Sequence, residues 1–503
     1  MRFIILTLLL LPIAAFAANS EIEQLRQELA ELRAQNERYE QRLNEMEARL
    51  ESVGVGSNDS ITSSDREVTE EAILPAGEFD GASDFSTDFD PQMFDYYGYM
   101  RAGYGIGKGG ESQERFKLPG ADAAYRLGNE TDTYMEAGFS YYKVAERKHQ
   151  PSTLFGTHFL LAFSTLDKAT GIALDGDNGT VSLREVFATA QGSIANQPDA
   201  RLWAGQRFYR RHDIHINDFF WLDMSGFGGG LEDYDLGFAK ASVAWIGGTL
   251  DDFTGTNDYI GDLDTTDKNN IDLRLNDIDM GIGRGNFWFV YSHYQLEGEF
   301  AGGEELKGSA DGIAAGFFLV SDFGESNKNT ATIQYGNSVA ANFNSFSPSL
   351  RTSENGEIPE GTSVEDQSRL RLMNILEYNF NQRLELQAVA IYQHDDLGLV
   401  ENSNRHWYSV GVRPVYSLSQ NYNLAFEAGY DYSKLESGEK GGLLKLTVAP
   451  EITPDWGLFS RPAIRLYLTW AKWSDEFRGL IGGNTYADDT NGFSLGVQFE
   501  SWW

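Results

Sequence analysis

The sequence predicts an all-β fold, specifically a transmembrane β-barrel, and three features carry that prediction. From Phe94 to the C-terminus, apolar and polar residues alternate with a period of two in segment after segment. Gly (53), Phe (32), Tyr (24) and Trp (10) are abundant, yet mean hydropathy is only −0.39. A barrel wall gives both, because lipid-facing and lumen-facing residues dilute each other along every strand. The chain also opens with a secretory signal, so the mature protein leaves the cytoplasm. Beyond that signal no apolar stretch reaches the ~18 residues a spanning helix needs, so any membrane crossing falls to strands.

In residues 1–17, MRFIILTLLLLPIAAFA, Arg2 supplies the positive start and Ile4 to Ile13 the apolar centre. Ala15-Phe16-Ala17 supplies the small-x-small cleavage site. Residues 19–53 then read as a coiled coil. Ile22, Leu29, Asn36, Leu43 and Leu50 fall at a, and Leu25, Leu32, Tyr39, Met46 and Val53 at d. A lone amphipathic helix does not need so strict a seam of 3.5 residues. Asn36 at an a position sets register at some cost in stability, and partner helices are required, most simply from further copies of the chain. Residues 54–92 are an acidic linker rich in Gly, Ser, Asp and Thr, with no period.

The remaining stretch, 93–503, reads as one barrel. Gly98, Met100, Ala102, Tyr104 and Ile106 oppose Tyr97, Tyr99, Arg101, Gly103 and Gly105, while Thr133, Met135, Ala137 and Phe139 oppose Asp132, Tyr134 and Glu136. Ile464, Leu466, Leu468 and Trp470 oppose Arg465, Tyr467 and Thr469. In the last strand Phe493, Leu495, Val497, Phe499 and Trp503 oppose Ser494, Gln498, Glu500 and Trp502. Turns such as Asn381-Gln382 and polar loops such as Arg351–Ser368 separate the segments. A soluble sandwich would hide its apolar faces between two sheets. One unbroken domain with a terminal aromatic, behind a signal peptide, fits the barrel better.

The formal charge of −35 argues against a nucleic-acid surface. It predicts a bias toward cations in salt. With no cysteine, disulfides and thiolate metal sites are excluded. Alternation alone points Tyr99, Tyr134 and Trp502 inward, beside Arg101 and Glu136. Aromatics flanked by charges suit a sugar, whose C–H face packs on a ring while its hydroxyls bond to the charged rim. The competing reading is packing beneath a loop. Residues Arg201–Leu231 crowd Arg207, Arg210, Arg211, His212, Asp213, His215 and Asp218 among Phe208, Tyr209, Phe219, Phe220 and Trp221. That stretch is either a surface loop with local ion pairs, with too few apolar residues for a core of its own, or a loop that narrows the lumen.

Read together, GYMRAGYG, YRLGNETDTYME (Tyr125–Glu136), WAGQRFYRRHDIHINDFFWLD (Trp203–Asp223), LEDYDLGFAK, VGVRPVY, SRPAIRLYLTWAKW and the closing Trp502-Trp503 resemble the maltoporin family of sugar-specific outer-membrane porins. The preceding coiled coil resembles the arrangement in that family's sucrose porins. The resemblance implies an 18-stranded antiparallel barrel, a homotrimer in outer-membrane lipid, a periplasmic coil and an inward-folded third loop. It implies an aromatic slide of Tyr99, Tyr134, Phe459 and Trp502, flanked by a polar track of Arg101, Arg126, Glu136, Arg184, Arg211, Asp213 and Asp218. Phe220 stands where the family has a constriction Tyr, and Phe459 where it has a Trp. The slide Trp that reaches a neighbouring subunit has no counterpart in Leu174–Val181, and a slide Phe expected near Asp322–Thr330 is unplaced.

The function expected is facilitated diffusion of neutral mono-, di- and oligosaccharides, sucrose- or maltodextrin-type, without cofactor. The alternative is a general diffusion porin whose coil serves as a periplasmic spacer or cell-wall tether; under either reading the coil could strengthen trimerisation, reach a periplasmic partner or present a sugar-capture surface. Catalysis is not expected. Asp213 and Asp218 pair two carboxylates, and His212 and His215 pair two imidazoles, but neither pair sits in a recognised catalytic or metal-binding spacing.

Overall fold

The structure, a computed structural model, describes residues 92–503 other than 148–149, 166–179, 250–266, 300–304, 325, 346, 348, 351–360 and 400. The predicted signal peptide, coiled coil and linker lie outside the described residues, except that Gln92, expected to end the linker, already begins the first strand. In chain order the strands are β1 (Gln92–Ile106), β2 (Thr133–Arg147), β3 (Gln150–Thr165), β4 (Thr180–Gln191), β5 (Arg201–Arg207), β6 (His212–Ile214) and β7 (Phe219–Leu222). They continue as β8 (Gly226–Asp235), β9 (Lys240–Thr249), β10 (Asp267–Asp279), β11 (Arg284–Glu299), β12 (Glu305–Phe323), β13 (Asn327–Asn337) and β14 (Gln367–Asn381). The last are β15 (Leu384–Leu397), β16 (Asn404–Ser419), β17 (Tyr422–Lys434), β18 (Lys440–Ile452), β19 (Ala463–Trp473) and β20 (Asn491–Trp502).

All but β6 and β7 join one 18-stranded sheet. Each strand pairs antiparallel with its neighbours in sequence, β5 passing directly to β8, and β1 pairs with β20 to close the ring. Closure gives every strand of the ring a neighbour on each side, as a sheet in lipid requires. The strands lean on the alternation read from the sequence. On β19, Ile464, Leu466 and Leu468 are 57%, 50% and 50% exposed on the outer face, whereas Arg465, Tyr467 and Thr469 are 4%, 0% and 0% exposed within. A soluble sandwich would reverse that contrast.

Antiparallel order gives the barrel two unlike ends. Connections such as 236–239, 280–283, 382–383 and 420–421 gather at the end where β1 starts, and 107–132, 208–225, 338–366 and 474–490 gather at the other. We call these the turn end and the loop end. Two expected boundaries shift: the tight turn is Gln382-Arg383, with Asn381 paired to Leu384, and Gln367 and Ser368 belong to β14 rather than to a loop.

The loop-end connections fold inward and fill part of the interior. Phe116, Leu118, Tyr125, Tyr209, Ile214, Ile216, Phe219 and Trp221 all enter the main buried apolar cluster, joined there by Trp407 from the wall. The stretch 208–225 thus has no core of its own but contributes its apolar residues to one shared with the wall strands and with 107–132. They were hard to see because they are spaced by no regular period and find their partners on distant strands.

Candidate functional site: a loop-narrowed lumen with an aromatic row

The third loop-end connection leaves β5 and returns at β8, and between them its small β6–β7 hairpin crosses the lumen. At its root, Glu232 on β8 holds Arg207 at 3.0 Å and Arg210 at 3.1 Å, and Asp233 holds Arg210 at 2.6 Å. Arg274 of β10 donates to the Arg210 carbonyl at 2.9 Å. At its far side, Gln334 of β13 and Arg371 of β14 both donate to the Trp221 carbonyl at 3.1 Å. The tip is a 3-10 turn, His215–Asn217. Gln387 Oε1 of β15 accepts from Ile216 N–H at 3.1 Å, and the Ile216 carbonyl accepts from Arg126 N–H at 3.0 Å and from Arg413 of β16 at 3.2 Å. Each bond satisfies a backbone group that a buried turn would otherwise leave orphaned. The loop is therefore a strut fixed to both walls.

The 107–132 connection holds the other side of the site. Within RLGNE, Gly128 has φ +65, and a Cβ there would fall 2.4 Å from Thr469 Oγ1. Only glycine fits that left-handed, crowded position. It presents its carbonyl to Gln113 Nε2 at 2.8 Å, while Asn129 Nδ2 donates to the Phe116 and Tyr125 carbonyls at 2.9 and 3.1 Å. These bonds aim Arg126 and Glu130 into the lumen.

Three of the predicted aromatics form a row. Tyr99 faces Trp502 across β1–β20, and Arg101 faces both Glu500 and Tyr134. The Tyr99 ring centroid lies 6.1 Å from Tyr134 and 6.5 Å from Trp502, with the latter pair nearly parallel at 12°. Phe459, on the turn 453–462, is brought to the same end of the row by His215, whose ring lies 5.4 Å from Phe459 and 5.6 Å from Trp502. The row runs from Tyr134 near the loop end toward Phe459 at the turn end. Its rungs are not equally open: Tyr99 and Trp502 are each only 8% exposed, whereas Tyr134 and Phe459 are half-buried.

A charge lattice flanks the row. Arg101 bridges Asp132 at 2.9 Å, Asp218 at 3.2 Å and Glu130 at 3.5 Å, with its guanidinium 5.5 Å from the Tyr134 ring centre. Arg126 bridges Glu130 and Glu500, both at 2.9 Å, and donates to the Tyr99 hydroxyl at 2.6 Å. Tyr134 donates to Glu136. Arg211 lies against two rings, 3.4 Å from Phe208 and 4.5 Å from Phe220, so its guanidinium covers the Phe220 phenyl. Among the described residues neither Arg184 nor Arg211 forms a salt bridge, and the Nε of each is buried without a hydrogen-bond partner. Asp213 pairs through the β6–β7 ladder with Phe220, whereas Asp218 joins Arg101. Asp218 adopts φ 48 at the end of the 3-10 turn. Burial alone would raise its carboxyl, but Arg126 and Arg101 outweigh that and hold it below the usual carboxylate range.

Sequence reasoning missed Glu130, Asp132, Glu500, His215, Arg461 and Arg465 as members of this lattice. Glu500 is its hinge, held by Arg126 at 2.9 Å, Arg461 at 2.7 Å and Arg465 at 2.9 Å. Alternation already placed Glu500 inward, and that was the usable signal. The two histidines of HDIH go separate ways. His212 stacks on Trp221 at 4.8 Å. His215 lies between Arg126, 3.5 Å from Nδ1, and Arg461, 3.0 Å from Nε2. Burial, with these cations beyond it, keeps His215 well below the ordinary imidazole range despite Glu500.

Residues 94–503 match the family described as LamB porin. Among solved structures, OccAB1 of Acinetobacter baumannii aligns at 10% identity and TM-score 0.43, covering 81% of this chain and 96% of that one. The outer membrane protein opdK of Pseudomonas aeruginosa aligns at 10% and 0.41, covering 82% and 99%. OmpT of Vibrio cholerae, an outer membrane protein in its trimer form, aligns at 11% and 0.39, covering 82% and 100%.

Proposed function

Because the chain belongs to the LamB porin family, and so is an outer-membrane β-barrel porin, we propose that it is a sugar-specific channel for facilitated diffusion of neutral mono-, di- and oligosaccharides. The observation that carries this reading is the row Tyr134–Tyr99–Trp502–Phe459 with Arg101, Arg126 and Glu136 at its edge. A pyranose offers an apolar C–H face and equatorial hydroxyls. Aromatic rings accept the first, and charged groups already sharing hydrogen bonds can exchange one for a hydroxyl. The sugar gradient drives transport, and no cofactor is needed.

Sites in a pore must bind weakly to release their cargo. A dissociation constant on the order of millimolar, about −4 kcal/mol, needs only a few stacked rings and exchanged hydroxyl bonds. Paired charges in the lumen serve as hydrogen-bond partners without becoming a trap for ions. We further propose that the chain works as a homotrimer, with the coil of residues 19–53 on the periplasmic side.

Liposome swelling tests the reading. Proteoliposomes are expected to admit sucrose or maltose faster than an uncharged polyol-ether of equal hydrodynamic size, and Tyr134→Ala should lower the sugar rate several-fold while leaving the polyol-ether rate alone. Rates that follow size alone, with or without Tyr134, would support the general diffusion porin instead.

A further inference from the structure

The turn end of the aromatic row is closed by a side chain that the predicted slide and track did not include. Arg461 sits on the turn 453–462, and its guanidinium carbon lies 3.9 Å from the centre of the Trp502 ring. That is stacking contact over the indole face. Tyr99 lies nearly parallel to the same indole at 6.5 Å, and His215 meets it edge-on at 5.6 Å. The indole, 8% exposed, thus has little free face for a sugar.

Arg461 is held in place from three sides. Its Nη1 donates to the Leu458 and Ser460 carbonyls, each at 2.9 Å, and its Nη2 donates to Glu500 Oε2 at 2.7 Å and to His215 Nε2 at 3.0 Å. Two donors remain unused. Arg461 Nε and Trp502 Nε1 are both buried and have no acceptor in the protein. Both donors sit on stacked neighbours at the ring face, where a hydroxyl-bearing ligand would find two N–H groups to accept from.

We propose that Arg461 is a specificity-determining cap: its guanidinium takes the place of a pyranose on Trp502, so a sugar reaching the turn end of the row must displace it. This role rests on the sugar-channel reading. A neutral sugar can make the exchange. Its C–H face replaces the guanidinium on the ring, and its hydroxyls offer acceptors to Trp502 Nε1 and to the displaced Arg461. Arg461 keeps its Glu500 partner by swinging about that ion pair. A rigid ligand without hydroxyls would leave both donors unsatisfied and would not dislodge the cap. The cap also ties three parts of the molecule together, the turn 453–462, the tip of the third loop through His215, and β20 through Glu500.

The test is sugar block of single-channel current for the full-length protein in planar bilayers, with sucrose and maltotriose as probes. The variants are Arg461→Lys and Arg461→Ala, each also in a Trp502→Ala background. Lysine keeps the charge beside Glu500 and so preserves the lattice, but lacks the planar group that covers the ring. Both single variants are expected to lower the half-block concentration by about threefold to tenfold, the worth of one uncovered aromatic contact. The gain should vanish when Trp502 is absent. Block equal to wild type, or weaker, in Arg461→Lys overturns the cap while leaving the sugar channel standing. If no sugar blocks wild type or any variant, the sugar-channel reading itself fails and the cap with it.

Discussion

Glu500 shows most plainly what one residue does in this lumen. It faces three guanidiniums, of Arg126, Arg461 and Arg465, and also accepts from the Tyr99 hydroxyl at 3.1 Å. A buried carboxylate in such a place is tolerated because its charge is matched several times over, and the converse holds for the arginines. Glu500→Gln takes from Arg461 its one carboxylate partner among the described residues and leaves Arg126 and Arg465 with Glu130 and Glu451 alone. The variant is expected to lose about 3–5 kcal/mol of stability, the usual cost of breaking a buried pair. Thermal unfolding in detergent should show it as a clear drop in midpoint. An unchanged midpoint would mean that solvent reaches the lattice and screens it. Glu500 also marks how far sequence reading goes at this scale. Its inward direction followed from alternation with Phe499 and Ser501. Its partners did not, since Arg126 comes from a loop nearly 400 positions away in the chain (500 against 126) and Arg461 from a turn.

At the scale of elements, the third loop is the part whose chemistry was legible and whose construction was not. Its charge and aromatic content mark it as unusual, but the sequence does not tell which wall each residue reaches. The structure has the arginines near its root bonded to Glu232 and Asp233, and its tip bonded to Gln387, Arg413 and Arg126. His215 gives that tip a pH dependence. Burial keeps its imidazole neutral in the folded protein, well below the value near 6.5 that an unfolded chain would have. With the folded value depressed, the contribution of His215 is fully present above about pH 6.5 and is lost as the pH falls below it, because the unfolded or released loop takes up the proton first. Single-channel records between pH 7.5 and 4.5 should therefore show loop-dependent current fluctuations growing as the solution is acidified, and His215→Asn should flatten that response. A wild-type record as quiet at pH 4.5 as at pH 7.5 would show that the tip does not depend on a neutral His215.

For the whole molecule, the architecture follows from a simple contrast between faces. Period-two alternation across every long segment specifies a sheet with one lipid face and one polar face, and closure is the only way for such a sheet to bury all its backbone groups in a bilayer. The number of strands does not follow from alternation and came from the family resemblance; the closed ring of 18 agrees with it. What alternation cannot reveal is how much of the lumen the loops fill, because inward-folded loops have no period and their apolar residues meet partners from the far wall. Residues such as Tyr125, which bonds to Ser409 at 2.8 Å, and Phe219, which meets Trp407 edge-on at 5.5 Å, turn a wide cylinder into a narrow one. A narrow lumen with an aromatic row on one wall discriminates among solutes by contact, whereas a wide one discriminates by size. The direct test is current block of the purified wild-type channel in a planar bilayer, titrated with sucrose and with maltodextrins of increasing length. Saturable block, with half-block concentrations on the order of millimolar and loss of block in Tyr134→Ala, is the result this account predicts. Open channels that no sugar blocks at any concentration would contradict it.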